Sequence, residues 1–425
     1  MNILIKNALV IPMTQRNYSY KGDLFIQDGV FVDGTDFHAD KIIDAEGMIA
    51  LPSLVNAHTH TPMELMRNYK DTAPNLMAWL SEIFPLEDKL VDNDIYWASK
   101  LAIAEMIQSG CTTFSDMYFM QENTIRAAQE SGVRGVIGLT LFGDEEETKK
   151  RIAIFEKFLP RYQDEEKISF MVAPHAIYTT TIGSYQTAHD WIVKNPQIKG
   201  MHTHMSETMT EVNDCLKSHN TTPLCYLKDN GVLEGIKVVL AHGVHLTEEE
   251  MKICNDYGIS VAHNPSSNCK LASGIAPLSQ LRKAGINLAL GTDGSSSNNN
   301  QDMFEEMHVA ALLSTVSTMD PMANTPYDIL SMATIGGARA VGLGSKIGTI
   351  EEGKDADCIL INTKTPHLTP LNDPFSALVF AAQGSDVDTV LCKGEILMEK
   401  RRLTTIDVNE VMEQTNACWE DLKKR

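Results

Sequence analysis

The chain has 425 residues, 43% of them hydrophobic, which is ample for a large core and more than one compact domain usually holds. Asp and Glu outnumber Lys and Arg 56 to 36, and the net charge of -20 repels phosphate backbones and anionic membrane surfaces, arguing against nucleic acid and membrane partners. No run approaches the roughly 18 apolar residues of a membrane span, and the opening MNILIKNALVIPMTQRN lacks the pattern of a signal peptide, so a cytoplasmic location is expected.

In chain order, ILIKNALVIPM (3–13), DLFIQDGVFVDG (23–34) and KIIDAEGMI (41–49) read as short strands broken by Gly and Asp turns. From Leu51 to about Asp293 a unit recurs, in which a short apolar run ends in polar residues and a helical-length amphipathic or charged stretch follows. The apolar runs are ALPSLVNAHTH, CTTFSDM, VRGVIGLTLF, ISFMVAPHAIY, KGMHTHMSE, KVVLAHGVH, GISVAHNPSSN and INLALGTDG. Their nearly continuous apolar character suits parallel strands buried on both faces. Between them, segments such as DIYWASKLAIAEMIQSG, NTIRAAQESG and EEEMKICNDYG carry apolar residues at helical steps and end in Gly, a common helix C-cap. Eight such units over about 250 residues predict a (β/α)8 TIM barrel.

After the barrel, GTIEEGKDADCILIN (348–362) and DTVLCKGEILMEKRRL (388–403) again read as strands, and VNEVMEQTNACWEDLKKR as a packing helix. Neither flank is long enough to bury a sheet face alone. The expected organisation is therefore a small β-sandwich domain from residues 1–50 plus 350–405, a barrel over 51–349 and a C-terminal helix over 406–425. The eight cysteines are scattered with no C-x-x-C pair, so buried, reduced thiols are expected rather than disulfides or a cysteine zinc site. Asn298–Asn300 is the only polar run that looks like low complexity, and DEEETKKR (144–151) reads as a solvated helix start, acids before bases. Met63, Met66, Met77, Met106 and Met117 fall at expected core or pocket positions, where gap-filling is the plain explanation.

His58, His60, Asp116, His175, His204, His242, Asn264 and Asp293 all end their apolar runs, the edge that forms the active-site face of this fold. His58-Thr59-His60 closes the first strand, and residues two apart on a strand project to the same side, so both imidazoles can reach one metal. With 13 His, about 0.4 H-x-H patterns are expected by chance, so the pair gains its weight from His204, His242 and Asp293 at later strand ends. Three nitrogens and one carboxylate with room for water describe a catalytic site for zinc or a similar divalent ion. His202 shares the strand face of His204, and spacing alone does not choose between them. His245, His263 and His308 are read as hydrogen-bonded structure, and Asp116 either orients a ligand histidine or starts a turn.

NAHTH (56–60), H-x-x-E from His204, the later His242 and GTD (291–293) resemble the metal and catalytic signatures of the amidohydrolase superfamily. Within it, WLSEIFPLED, HNPSSNCKLASGIAP and GTDGSSSNNNQDMFEEM resemble the 5′-methylthioadenosine/S-adenosylhomocysteine deaminases. The resemblance implies that His58, His60, His204 and Asp293 bind one zinc ion, that Glu207 and His242 transfer protons and polarise, and that Glu87 and His175 contact ribose. It places Glu207 and Asp293 against the substrate as well.

The expected reaction is hydrolytic deamination at C6 of an adenine nucleoside: Asp293 takes a proton from a metal-activated water, Glu207 protonates N1, and His242 faces the tetrahedral centre. The partner is then a small purine nucleoside, and a homo-oligomer is expected. The alternative is a deaminase or chlorohydrolase acting on guanine, isoguanine or an s-triazine, which carry no ribose for Glu87 and His175. Fe, Mn or Co would also suit the donor set. Acceptance of S-adenosylhomocysteine implies an Arg near the GLTLF stretch, where this chain has Leu139; Lys149, Lys150 or Arg151 would have to replace it. Neutral 5′ groups are therefore expected to be preferred.

Overall fold

The computed structural model describes residues 1–73 and 75–425. Five strands precede the barrel: β1 (Ile3–Val10), β2 (Tyr20–Gln27), β3 (Val30–Val32), β4 (Lys41–Asp44) and β5 (Met48–Pro52). The barrel strands are β6 (Leu54–Thr59), β7 (Cys111–Tyr118), β8 (Arg134–Leu141), β9 (Ile168–Pro174), β10 (Met201–Met205), β11 (Val238–His242), β12 (Ser260–His263) and β13 (Asn287–Leu290). All eight expected strands form, each pairing in parallel with the next. At the seam between β13 and β6 the Asp293 amide donates to the His58 carbonyl at 3.0 Å, and Asn56 exchanges hydrogen bonds with Thr292.

The barrel interior is filled, not hollow. Val55, Ala57, Val136, Met171, Val239, Ala262 and Ala289 form one buried cluster with Ala338, Val341 and Ile347 of the segment that plugs the floor. That segment approaches β13 so closely that a Cβ on Gly336 would lie 2.2 Å from the Leu288 carbonyl oxygen, so only glycine fits there. With the floor closed, the open end for chemistry is the rim at the strand C-termini.

Both chain ends join in one nine-stranded mixed sheet, completed by β14 (Cys358–Asn362), β15 (Val387–Cys392), β16 (Glu395–Glu399) and β17 (Arg402–Leu403). Antiparallel pairing of β5 with β14 makes the joint between the two flanks. Side-chain alternation then divides the sheet. Ile359, Ile361, Val390 and Cys392 enter the main core with the barrel, while Cys358, Leu360 and Leu391 close a smaller core with Ile3, Ile5, Leu24 and Ile26. The C-terminal helix (Val408–Leu422) packs against the helix Asp92–Gln108 and the turn Thr61–Met66, and its Cys418 and Leu422 join one buried cluster with Trp79, Leu80 and Ile83 of the helix that roofs the barrel mouth.

The barrel is tied to the sheet by Arg134 at the start of β8, which is 1% exposed. Its Nε and Nη2 donate to Asp357 at 2.7 and 2.9 Å, and Nη2 also donates to Asp355 at 2.9 Å. Removing the cation strands a buried carboxylate. Arg134→Ala is expected to lower the free energy of unfolding in urea by about 3–5 kcal/mol, with catalysis by the remaining folded molecules unchanged.

Candidate functional site

Four barrel strands and the turns after them deliver the predicted residues to one point. On β10, Met201 and Met205 turn out into the core and His202 and His204 turn in, as alternation requires. On β11 the same alternation would send His242 outward with Leu240; instead His242 has φ 73° and its ring swings to within 5.4 Å of the His204 ring and 5.6 Å of the His58 ring. Asp293 (φ 63°) and Ser206 (φ 50°) share this left-handed conformation. Such conformations cost of order 1–3 kcal/mol each for non-glycine residues and persist only where the surroundings enforce them.

The donor atoms of His58, His204, His242 and Asp293 all lie within 4.8 Å of one another. His60 belongs to the same cluster: its Nε2 is 3.2 Å from Asp293 Oδ1 and 3.3 Å from His204 Nε2. His58 Nε2 is 3.5 Å from Asp293 Oδ1 and, among the described residues, is a buried ring nitrogen with no hydrogen-bond partner. The outer nitrogens show why these inner ones converge. His60 Nδ1 donates to the Met117 carbonyl (2.6 Å) and His204 Nδ1 to the His175 carbonyl (2.8 Å); a carbonyl only accepts, so each ring keeps its proton outside and turns an Nε2 lone pair inward. An inward ring of lone pairs with a carboxylate fits a divalent metal ion.

The electrostatics agree. Burial lowers His58 to about 4 and holds His204 and His175 down as well, so these rings are neutral and able to bind a cation. His60 differs: burial alone would lower it, but the Asp293 carboxylate lifts it to about 8, so it must give up its Nε2 proton when a cation binds. Burial would raise Asp293, yet the His58 and His60 imidazoles hold it well below the usual carboxylate range. Its Oδ2 accepts from Ser267 (2.6 Å) and Ser297 (3.0 Å), leaving Oδ1 to face the histidines.

Beside this cluster, Glu207 Oε2 lies 3.7 Å from His242 Nε2, and Ser273 Oγ donates to Glu207 Oε1 at 3.2 Å. Burial raises the Glu207 pKa, which favours the protonated form a general acid needs. Glu211 supports the strained backbone before it, accepting from the Ser206 and Glu207 amides at 2.9 Å each. His242 is set by Asn268, whose Oδ1 accepts from its Nδ1 at 2.8 Å. Glu87 ends the helix Leu76–Glu87; burial pushes it up to about 7, against the Tyr118 hydroxyl that donates to it at 2.5 Å. His175 stacks on Phe142 (4.7 Å) and pairs with Thr179 Oγ1. Glu87, His175, His60, His204, Glu207, His242 and Asp293 all line one cavity.

Several sequence expectations resolve differently. Asp116 accepts from the Thr61 amide and hydroxyl, fixing the turn just after His60 rather than holding a ligand ring. His245 donates to the Ser273 carbonyl, as expected, whereas neither buried ring nitrogen of His263 has a hydrogen-bond partner among the described residues; His263 and His308 lie outside the cavity. Met77 is 53% exposed, not a core or pocket residue. The polar run after β13 is functional structure: Ser297 holds Asp293, and Asn298 donates to the Thr292 carbonyl and Glu306. Leu139 is fully buried in the main core and does not line the cavity; from β8 and the loop after it, Thr140 and Phe142 do. Ser267, Asn268 and Ser273 were missed as site residues, although their crowding in HNPSSNCKLAS beside a strand end was the available signal.

The family model described as Amidohydrolase family matches residues 49–397. The chain belongs to the amidohydrolase family. A relative from Syntrophomonas wolfei named 5-methylthioadenosine/S-adenosylhomocysteine deaminase is 43% identical over 97% of each chain. One from Methanobrevibacter smithii named 5′-deoxyadenosine deaminase is 42% identical, covering 99% of this chain and 98% of that one. The solved structure of an adenosine deaminase from Xanthomonas campestris with bound zinc superposes with a TM-score of 0.95 at 31% identity, covering 100% of this chain and 99% of that one. This amidohydrolase is expected to carry about one divalent ion per chain. Atomic emission on Asp293→Ala and His58→Ala proteins is expected to find the metal lost while the fold, read by circular dichroism, is retained.

Proposed function

We propose that this amidohydrolase removes the C6 amino group of an adenine nucleoside by hydrolysis, giving ammonia and the inosine analogue, and that it prefers ribosides with an uncharged 5′ group. One observation carries the reading. The cavity holds the acid-base set Glu207, His242 and Asp293 together with a separate buried carboxylate, Glu87, suited to accept hydrogen bonds from two vicinal ribose hydroxyls.

His58, His60, His204 and Asp293 would hold the metal, with zinc the first choice by likeness to the zinc-bound adenosine deaminase structure; when bound it activates the attacking water. Asp293 accepts a proton from that water as its oxygen adds to C6. Glu207 protonates N1, making C6 electrophilic, and His242 faces the new oxygen through Nε2, where charge develops in the transition state. The protons left on that oxygen and on Asp293 then restore Glu207 and convert the amino group to ammonia. His175, opposite Phe142, completes the ribose contact.

The 5′ preference comes from the cavity walls. Leu76, Trp79, Leu80, Phe84, Phe119 and Leu271 line it, and its acidic residues are Glu87, Glu207 and Asp293; among the described residues no Lys or Arg lines it. Lys149 pairs with Glu145 at 2.6 Å, Lys150 with Glu147 at 4.0 Å and Arg151 with Glu147 at 3.4 Å on the outer helix, so none of the three replaces the missing cation. An amino-acid carboxylate placed at the 5′ end would be desolvated without a partner.

Ammonia release is the test, over adenosine, 5′-methylthioadenosine, 5′-deoxyadenosine, S-adenosylhomocysteine, guanine and an s-triazine. The three neutral ribosides are expected to exceed S-adenosylhomocysteine in kcat/KM. Glu87→Ala is expected to lower kcat/KM on ribosides roughly 10²–10³-fold, the loss of two hydrogen bonds to a charged acceptor. Highest kcat/KM on S-adenosylhomocysteine would overturn the 5′ preference; turnover of free bases or triazines alone would overturn the nucleoside reading.

A further inference from the structure

The histidines at the barrel mouth each settle an outer nitrogen, and one does so differently. His60 and His204 donate to backbone carbonyls, and His242 Nδ1 lies 2.8 Å from Asn268 Oδ1, with Asn264 Nδ2 at 3.3 Å. His58 Nδ1 instead meets another imidazole: His202 Nε2 is 3.1 Å away, and His202 Nδ1 in turn lies 3.3 Å from Ser115 Oγ. His58, His202 and Ser115 are all buried inside the barrel. The His202 ring stands edge-on to His58 with centroids 4.9 Å apart, so it sits behind that ring.

Either nitrogen of a neutral imidazole can donate or accept, so this chain of contacts has no direction of its own. The inner end supplies it. His58 Nε2 faces Asp293 Oδ1 with no hydrogen-bond partner, and a nitrogen that binds a cation carries no proton. The His58 proton is then on Nδ1 and is donated to His202 Nε2. His202 must accept there, so its single proton sits on Nδ1 and points to Ser115. A doubly protonated His202 would set two N–H groups against each other across 3.1 Å.

We infer that His202 is a positioning residue for the metal ligand His58, an obligate acceptor at Nε2 whose own proton, on Nδ1, points to Ser115. This rests on His58 binding the metal and is independent of which substrate the enzyme takes. It also separates the two histidines of the H-x-H on β10: His204 reaches the centre and His202 orients another ligand from behind.

The test is zinc affinity, measured by competition with a chromophoric chelator, in H202M and H202Q. Methionine fills the space without accepting well from an N–H, whereas the glutamine Oε1 accepts. H202M is expected to weaken zinc binding about 10–100-fold, and H202Q to recover most of that loss. Wild-type affinity in H202M, or equal weakening in both variants with unchanged melting temperatures, would show His202 to be packing only. Imidazole ¹⁵N NMR of zinc-loaded wild-type protein decides the matter without a variant. A neutral His202 protonated at Nδ1 supports the inference, and a proton on Nε2 overturns it.

Discussion

The site depends on one constraint: His60, His204 and His242 at the mouth of the barrel have their outer nitrogens committed to an acceptor. A ring free to rotate or exchange tautomers would present a donor as often as a lone pair, and the centre would not bind a cation. The Met117 and His175 carbonyls and the Asn268 amide impose that commitment on His60, His204 and His242. The first two acceptors come from the strand or turn next to the ring they fix, so parallel pairing of β6 with β7 and of β9 with β10 sets the chemistry as well as the fold.

A second consequence is strain. Ser206, His242 and Asp293 leave their strands in the left-handed conformation, which turns their chains sharply at the rim. Nearby groups hold each in place: the Glu211 carboxylate under Ser206, Asn268 on the His242 ring, and Ser267 with Ser297 on Asp293. Two of these supports, Ser267 and Asn268, come from the short helix Pro265–Lys270 after β12, which explains why that polar segment is packed so tightly against the centre. The energy stored there is balanced by the large barrel core and by the Arg134 tie to the terminal sheet.

The strands were legible because each is a continuous apolar run, and a barrel buries both faces of a strand. The residues of the cluster were legible because each ends a run, as His204 and Asp293 do. Other features depend on register or on loops returning to the rim, which spacing does not encode. Nothing in HTHM says that His202 falls behind His58, and strict alternation would have turned His242 outward. Leu139 misled for the same reason: counting along β8 found the right neighbourhood but not the side chain that faces the cavity, which is Thr140 or Phe142. The SSSNNN run looked featureless because its contacts, with Asp293, Thr292 and Glu306, are made by a chain folding back on itself.

The central claim is that water attacks C6 of a bound adenine nucleoside and that Asp293 and Glu207 handle its protons. The most direct measurement is turnover of 5′-methylthioadenosine in ¹⁸O-labelled water by the metal-loaded enzyme, with the products analysed by mass spectrometry. The account predicts one ¹⁸O atom at C6 of the inosine analogue, one ammonia per turnover, and loss of both in Glu207→Ala. Release of free adenine, or label on the sugar with the amino group intact, would contradict it.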